Sequence, residues 1–182
     1  MSNKTIGILM PGDMGHGCGK IFLENNFRVV TCLNNRSNRT KKLSDNAGIE
    51  NVQTIENVVN FSDIILSILP PEAALKQSSI VNKIILEKKK YLTYVDCNAV
   101  SPKTAEKINT AISSEYCNFI DAGIIGFNPI IEKGQTRLYV SGPNTKPIKI
   151  LHNKGFIIKD LGKKVGRASG MKMIYASATK GT

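Results

Sequence analysis

The chain has 182 residues, with 25 Lys and Arg against 14 Asp and Glu, a formal net charge of +11. Its 41% hydrophobic content is that of a folded domain and excludes a disordered segment, and the length suits one ordinary domain. No run approaches the roughly 18 consecutive apolar residues of a membrane span, and the N-terminus lacks a signal peptide's layout, so a cytoplasmic protein with no membrane partner is expected.

Lys4 to Phe27 reads as a strand, a glycine-rich turn and a helix. Ile6, Ile8 and Leu9 form a short apolar run with the β-branched content of a buried strand, stopped by Pro11-Gly12. From Met14 the spacing of Cys18, Ile21, Phe22 and Leu23 predicts one face of a helix ending near Asn25-Asn26. That order is the phosphate-binding opening of a dinucleotide fold, in which backbone N–H groups and the helix dipole meet a pyrophosphate. Gly12 and Gly15 fill the second and third positions of G-x-G-x-x-G, and Met10 stands at the first. Any tight strand–helix turn also favours glycine, so the turn alone leaves both readings open.

Phe27 to Leu33 is a second strand, followed by the polar loop Asn34-Asn35-Arg36-Ser37. Arg39 to Ala47 reads as a helix stopped by Gly48, Val52 touches a brief third strand, and Thr54 caps a helix through Phe61. Asp63 to Leu69 is a strongly apolar strand closed by Pro70-Pro71, with a helix from Glu72 to Leu86 and a strand from Tyr91 to Asp96. Ser101-Pro102 opens another helix, Ser as N-cap and Pro at the first helical position. Phe119 to Ala122, Arg137 to Ser141 and Phe156 to Asp160 supply later strands, with a helix expected from Asn144 to Asn153. Alternating strands and helices imply an α/β, Rossmann-like, doubly wound and mostly parallel sheet with helices on both faces.

Ligands in such a sheet sit beyond the C-terminal ends of the strands. The end of the second strand decides cofactor flavour. An Asp or Glu there binds the NAD ribose, whereas this chain has Asn34, followed by Asn35-Arg36-Ser37. Arg36 and Ser37, with Arg39 nearby, can bind a 2′-phosphate, which favours NADP over NAD; the alternative is an ordinary polar surface loop. Leu69-Pro70-Pro71, Asn98 to Pro102 and Gly123 to Gly126 lie at other strand ends. The Asn98 amide can meet a nicotinamide, a ribose or a substrate oxygen, or can simply be a turn residue.

Cys18, Cys32, Cys97 and Cys117 form no C-x-x-C pair and His16 and His152 complete no metal set, so buried reduced thiols and no metal site are expected. Lys88-Lys89-Lys90, Lys41-Lys42 and Lys163-Lys164 could mark nucleic-acid binding. The basic residues are scattered and aromatic content is only 6%, so a solvated surface and an anionic cofactor are the preferred explanation.

These segments resemble the N-terminal NADP-binding domain of the β-hydroxyacid dehydrogenases, the group containing 3-hydroxyisobutyrate and 6-phosphogluconate dehydrogenases. The matching segments are Gly12-Asp13-Met14-Gly15, Asn35-Arg36-Ser37, Leu69-Pro70, Asp96 to Pro102, Asp121-Ala122, and Gly166 to Lys172. The chain is also similar to a branch reading PGDMGH, SILPP, VDCNAVSP and RLYVSG. The resemblance implies hydride transfer between a nicotinamide and a small hydroxyacid-like substrate, with Lys172 as the catalytic acid/base. Read alone, that lysine is a surface residue on an amphipathic helix. It implies cofactor contacts from Met10, Pro11, Gly12, Asp13, Met14, Asn34, Asn35, Arg36, Ser37, Leu69, Pro70 and Asn98. Asn98, Ala99, Val100, Gly123 and Ile124 would meet substrate. It further implies a dinucleotide domain over 1–165 and the start of an interdomain helix over 166–182, the family's all-helical domain lying outside the chain. A homodimer or a separate helical chain is then the expected partner. Asn98 replaces the family's Ser, Ile125-Gly126-Phe127 its Ser-Gly-Gly, and Ala176 its Asn. The alternative function is a stand-alone NADPH-binding module without turnover.

Overall fold

A computed structural model describes residues 4–180; residues 1–3 and 181–182, at the ends of the two expected segments, lie outside it. The strands are β1 (Thr5–Leu9), β2 (Arg28–Thr31), β3 (Glu50–Asn51), β4 (Ile64–Ser67), β5 (Leu92–Asp96), β6 (Cys117–Ile125), β7 (Arg137–Ser141) and β8 (Ile157–Asp160). The helices are α1 (Asp13–Glu24), α2 (Asn38–Ala47), α3 (Ile55–Phe61), α4 (Pro71–Lys88), α5 (Pro102–Ile112) and α6 (Arg167–Lys180).

All the strands share one sheet in the order β3-β2-β1-β4-β5-β6-β7-β8. Pairing is parallel from β3 through β6, β7 runs antiparallel to β6, and β8 is parallel to β7. The strand order reverses direction between β1 and β4, which opens a crevice at their C-terminal ends. Alternate residues of each strand serve opposite faces. Ile6 and Ile8 of β1 join Cys18 and Phe22 of α1, with Ile148, Leu151 and Phe156, in one core. Leu9 joins Val58 and Val59 of α3, Val81 and Ile85 of α4, and Ile108 and Ile112 of α5 in the other.

Local chemistry sets the helix limits. Ser101 Oγ accepts from Thr104 N at 3.2 Å ahead of Pro102, and Thr54 Oγ1 accepts from Asn57 N at 3.0 Å. Gly48 ends α2 at φ 78°. The helix expected over Asn144–Asn153 is instead a short 3-10 turn, Lys146–Leu151, with Pro147 in its first turn. Strand β3 precedes Val52, which donates its N–H to Thr31 O. Strand β6 outruns its expected end at Ala122 because Gly123, Ile124 and Ile125 pair with Tyr139, Leu138 and Arg137 of β7. No helix among the described residues is long and apolar enough to cross a membrane.

Candidate functional site

The glycine turn closes β1 directly against α1. Met10 takes a left-handed backbone, φ 62°, and its carbonyl accepts from Gly12 N at 2.8 Å. That conformation costs a non-glycine residue about 1–2 kcal/mol, which accounts physically for glycine at the equivalent place in the motif. A Cβ on Gly15 would lie 2.8 Å from the Met10 carbonyl oxygen and 3.3 Å from Ile8, so this position admits only glycine while helix and strand stay so close. A Cβ on Gly12 would meet nothing within 4 Å, so open space faces the start of α1. No side chain caps that helix end, and its first N–H groups are available to an anion. Pro11 is buried, Met14 packs against the first core, and His16 Nδ1 donates to Gly12 O at 2.8 Å.

The loop after β2 borders a cavity of about 370 Å³ lined by Cys32, Asn34, Asn35, Arg36, Gln53, Thr54 and Ile55. Arg36 Nη1 reaches the Met10 sulfur at 3.7 Å, and its buried Nε has no partner among the described residues. Ser37 caps α2 by accepting from Thr40 N at 3.2 Å. Arg39, nearby on α2, makes an exposed ion pair with Asp13 in the first turn of α1. The loop itself, Asn34 to Ser37, offers one guanidinium and no carboxylate. The groups present fit the diphosphate and ribose end of a dinucleotide: an uncapped helix start under open space, and an orphaned Arg nitrogen beside a cavity.

Asn98 stitches two strand ends together. Its Oδ1 accepts from Leu69 N at 2.6 Å, and its Nδ2 donates to Ser67 Oγ at 3.1 Å and to Asp96 Oδ1. Both amide hydrogens are thus spent inside the chain, which holds the Leu69-Pro70 turn beside β5. Val100 and Ile124 put their side chains into the two cores, leaving Ala99 exposed at this strand end.

The remaining part of the site rests on α6. Asp121, fully buried on β6, accepts from Gly166 N at 2.8 Å, Ala168 N at 3.1 Å, Ser169 N at 3.2 Å and Ser141 Oγ at 2.9 Å, and from Ser169 Oγ. A carboxylate so placed satisfies the first N–H groups of α6 and opposes its dipole. Two residues along the same face of β6, Gly123 leaves room for the next turn of α6: a Cβ there would lie 3.0 Å from both Ala168 O and Lys172 Cβ. Lys172 runs back across the sheet end, and its Nζ donates to Cys97 O at 3.1 Å. Burial lowers the Lys172 pKa, opposed by Cys97 and Asp96. Asp96 pairs in register with Asp121 and is buried; burial first, then the Asp121 charge, push its carboxyl up to about 7 against the pull of Asn98 and Lys172.

Residues from the ends of β1, β2, β4, β5 and β6 and from α6 thus share one end of the sheet. Asp96, Asp121, Ser141 and Ser169 lie inside the segments matched to the family, but none of them was assigned a cofactor, substrate or catalytic contact. The visible signal of Asp96 and Asp121 was a carboxylate closing or interrupting an apolar strand, in Val95-Asp96 and Ile120-Asp121; the two serines carry no such signal. Among the described residues no group of three or more His, Cys, Asp or Glu could hold a metal ion.

The family model described as the NAD binding domain of 6-phosphogluconate dehydrogenase matches residues 5–166. A 28.5 kDa protein of Methanothermus fervidus is 35% identical over 159 residues, which are 87% of this chain and 59% of that protein. The solved structure of the conserved protein MTH1747, described as similar to 3-hydroxyacid dehydrogenases, superposes with a TM-score of 0.83 at 27% identity, covering 97% of this chain and 65% of that one. A reductive aminase from Aspergillus terreus, solved with NADPH and ethyl levulinate, gives a TM-score of 0.80 at 19% identity, covering 99% and 62%. The chain spans less than two thirds of the length of each of these relatives.

Proposed function

The chain belongs to the family of the NAD-binding domain of 6-phosphogluconate dehydrogenase, and from that membership we propose that it is the cofactor domain of an NADP-dependent oxidoreductase of the β-hydroxyacid dehydrogenase type. The observation that carries this reading is Lys172, whose Nζ sits on the Cys97 carbonyl at the same sheet end as the glycine turn. A bound nicotinamide dinucleotide would supply or accept the hydride at its nicotinamide ring. The first turn of α1 and Arg36 would hold the dinucleotide's phosphates, and Asn98 holds the β4 and β5 ends in place around the crevice. Lys172 exchanges a proton with the substrate oxygen, and its partial burial brings the amine closer to working pH. A small hydroxyacid-like molecule is the substrate class. The exposed Met173, Ile174 and Tyr175 of α6 suit coverage by a second copy or by a helical domain.

The preference for NADP rests on Arg36 with its unpartnered Nε and on the lack of a carboxylate after β2. Fluorescence titration with NADPH and NADH tests it. Arg36→Ala should weaken NADPH by about tenfold or more, the worth of one charge-assisted phosphate contact, and NADH by much less. Equal losses for both cofactors would refute the preference.

A further inference from the structure

We propose that Asp96 is a positioning residue for Lys172: its buried carboxyl holds a proton in the resting chain and, once ionised, supplies the negative charge that keeps the neighbouring ammonium protonated. This inference rests on the reading of Lys172 as the proton donor and acceptor.

Four features of the geometry point the same way. Asp96 and Asp121 are cross-strand neighbours on β5 and β6, and both are fully buried. Asp121 is saturated with donors from α6, Ser141 and Ser169. Asp96 Oδ1 has one donor, the Asn98 amide, and its buried Oδ2 has no partner among the described residues. Of two adjacent buried carboxyls, the one with fewer donors is the one that more readily keeps a proton. Lys172 then reaches over from α6 to the carbonyl of Cys97, the residue directly after Asp96.

The ionisable groups acting on Asp96 are Asp121 from β6 and Lys172 from α6, and it acts in turn on Tyr94 of β5 and on Cys97. The element β4 adds only the neutral Ser67 hydroxyl, through Asn98. With Asp96 protonated, burial favours a neutral Lys172 amine. With Asp96 ionised, the amine holds its proton to higher pH. The pair thereby spreads one proton between an acid store and the group proposed to meet substrate, and the reserve lies out of contact with water.

Competitive acetylation with acetic anhydride across a pH series, with the Lys172 peptide quantified by mass spectrometry, reads the amine directly and needs no turnover. Asp96→Asn should raise the neutral, reactive fraction of Lys172 at mildly alkaline pH by about tenfold, the effect of removing one nearby opposite charge. Asp96→Glu should recover part of the original profile. An Asp96→Asn profile coincident with that of the unsubstituted chain overturns the inference. Should that variant fold poorly, carboxyl ¹³C NMR of the unsubstituted chain and of Lys172→Met gives the reciprocal reading. The carboxyl that titrates near neutrality should move upward when the ammonium is removed, and an unmoved carboxyl overturns the inference. If the coupling is present but Lys172→Met leaves turnover intact, the acid–base reading fails while the coupling stands. If turnover is lost and the coupling is absent, only the inference fails.

Discussion

Replacing Asp121 by Ala tests how the domain holds α6 and Lys172. Asp121 Oδ2 is the acceptor for Gly166 N at 2.8 Å and Ser169 N at 3.2 Å, whereas Ala168 N retains Ser141 Oγ at 3.1 Å. Two buried N–H groups therefore lose their acceptor, at about 1–3 kcal/mol each. Loss of the negative charge at the start of α6 adds about 1 kcal/mol. The total, about 5 kcal/mol, is a large share of the roughly 5–15 kcal/mol that stabilises a domain. Urea unfolding followed by circular dichroism measures it, and amide hydrogen exchange at residues 166–172 shows where it falls. Protection should collapse first along α6 while β1 and β4 stay protected. A loss under about 1 kcal/mol with α6 protection unchanged would refute the assignment of Asp121 as the anchor of this helix.

Asp96 makes the fold lose stability as pH rises from acid to neutral. Its folded carboxyl, raised from 3.8 to about 7, contributes stability that is fully present below about pH 4 and is lost as pH rises through about 7. At about 1.4 kcal/mol for each tenfold change in proton affinity, the loss is about 4 kcal/mol. Asp96→Asn should flatten the stability profile between about pH 4 and pH 8, and profiles that stay parallel would contradict the burial argument. Gly123→Ala would set a Cβ 3.0 Å from Ala168 O and Lys172 Cβ. It should cost about 1–3 kcal/mol in thermal or urea unfolding and lower turnover far more than NADPH affinity. A variant with unchanged turnover would show that Lys172 needs no such close seat.

The order of elements was legible because each one carries its own punctuation. Pro11-Gly12, Gly48 and Ser101-Pro102 mark ends that backbone chemistry enforces locally. The sheet partners of β6 were not legible, since the extension to Ile125 depends on pairing with β7 across a loop. The candidate site divides the same way. The glycine turn and the Arg36 loop are contiguous in sequence, and a motif finds them. The fate of Arg39 was hidden, because its ion pair joins the starts of α1 and α2, 26 residues apart. Asn98 reads as a strand-end amide, but only tertiary structure shows that both its hydrogens are consumed by Ser67 and Asp96.

What the sequence showed least is how Lys172 gains a fixed position on a helix so exposed along its later turns. Residues i and i+2 of a strand share a face, and residues i and i+4 of a helix share a stripe. Asp121 and Gly123 are such a strand pair, and Ala168 and Lys172 such a helix pair. The carboxylate holds the helix start, and the absent side chain two residues on lets the following turn descend until Lys172 Cβ would touch a Cβ at 123. One contact fixes where α6 begins and the other fixes its height above the sheet. Together they leave the Lys172 side chain a short reach to the Cys97 carbonyl. The β6 strand of the dinucleotide domain therefore positions the proposed proton-transfer group, and the exposed Met173, Ile174 and Tyr175 beyond it are free to serve an interface.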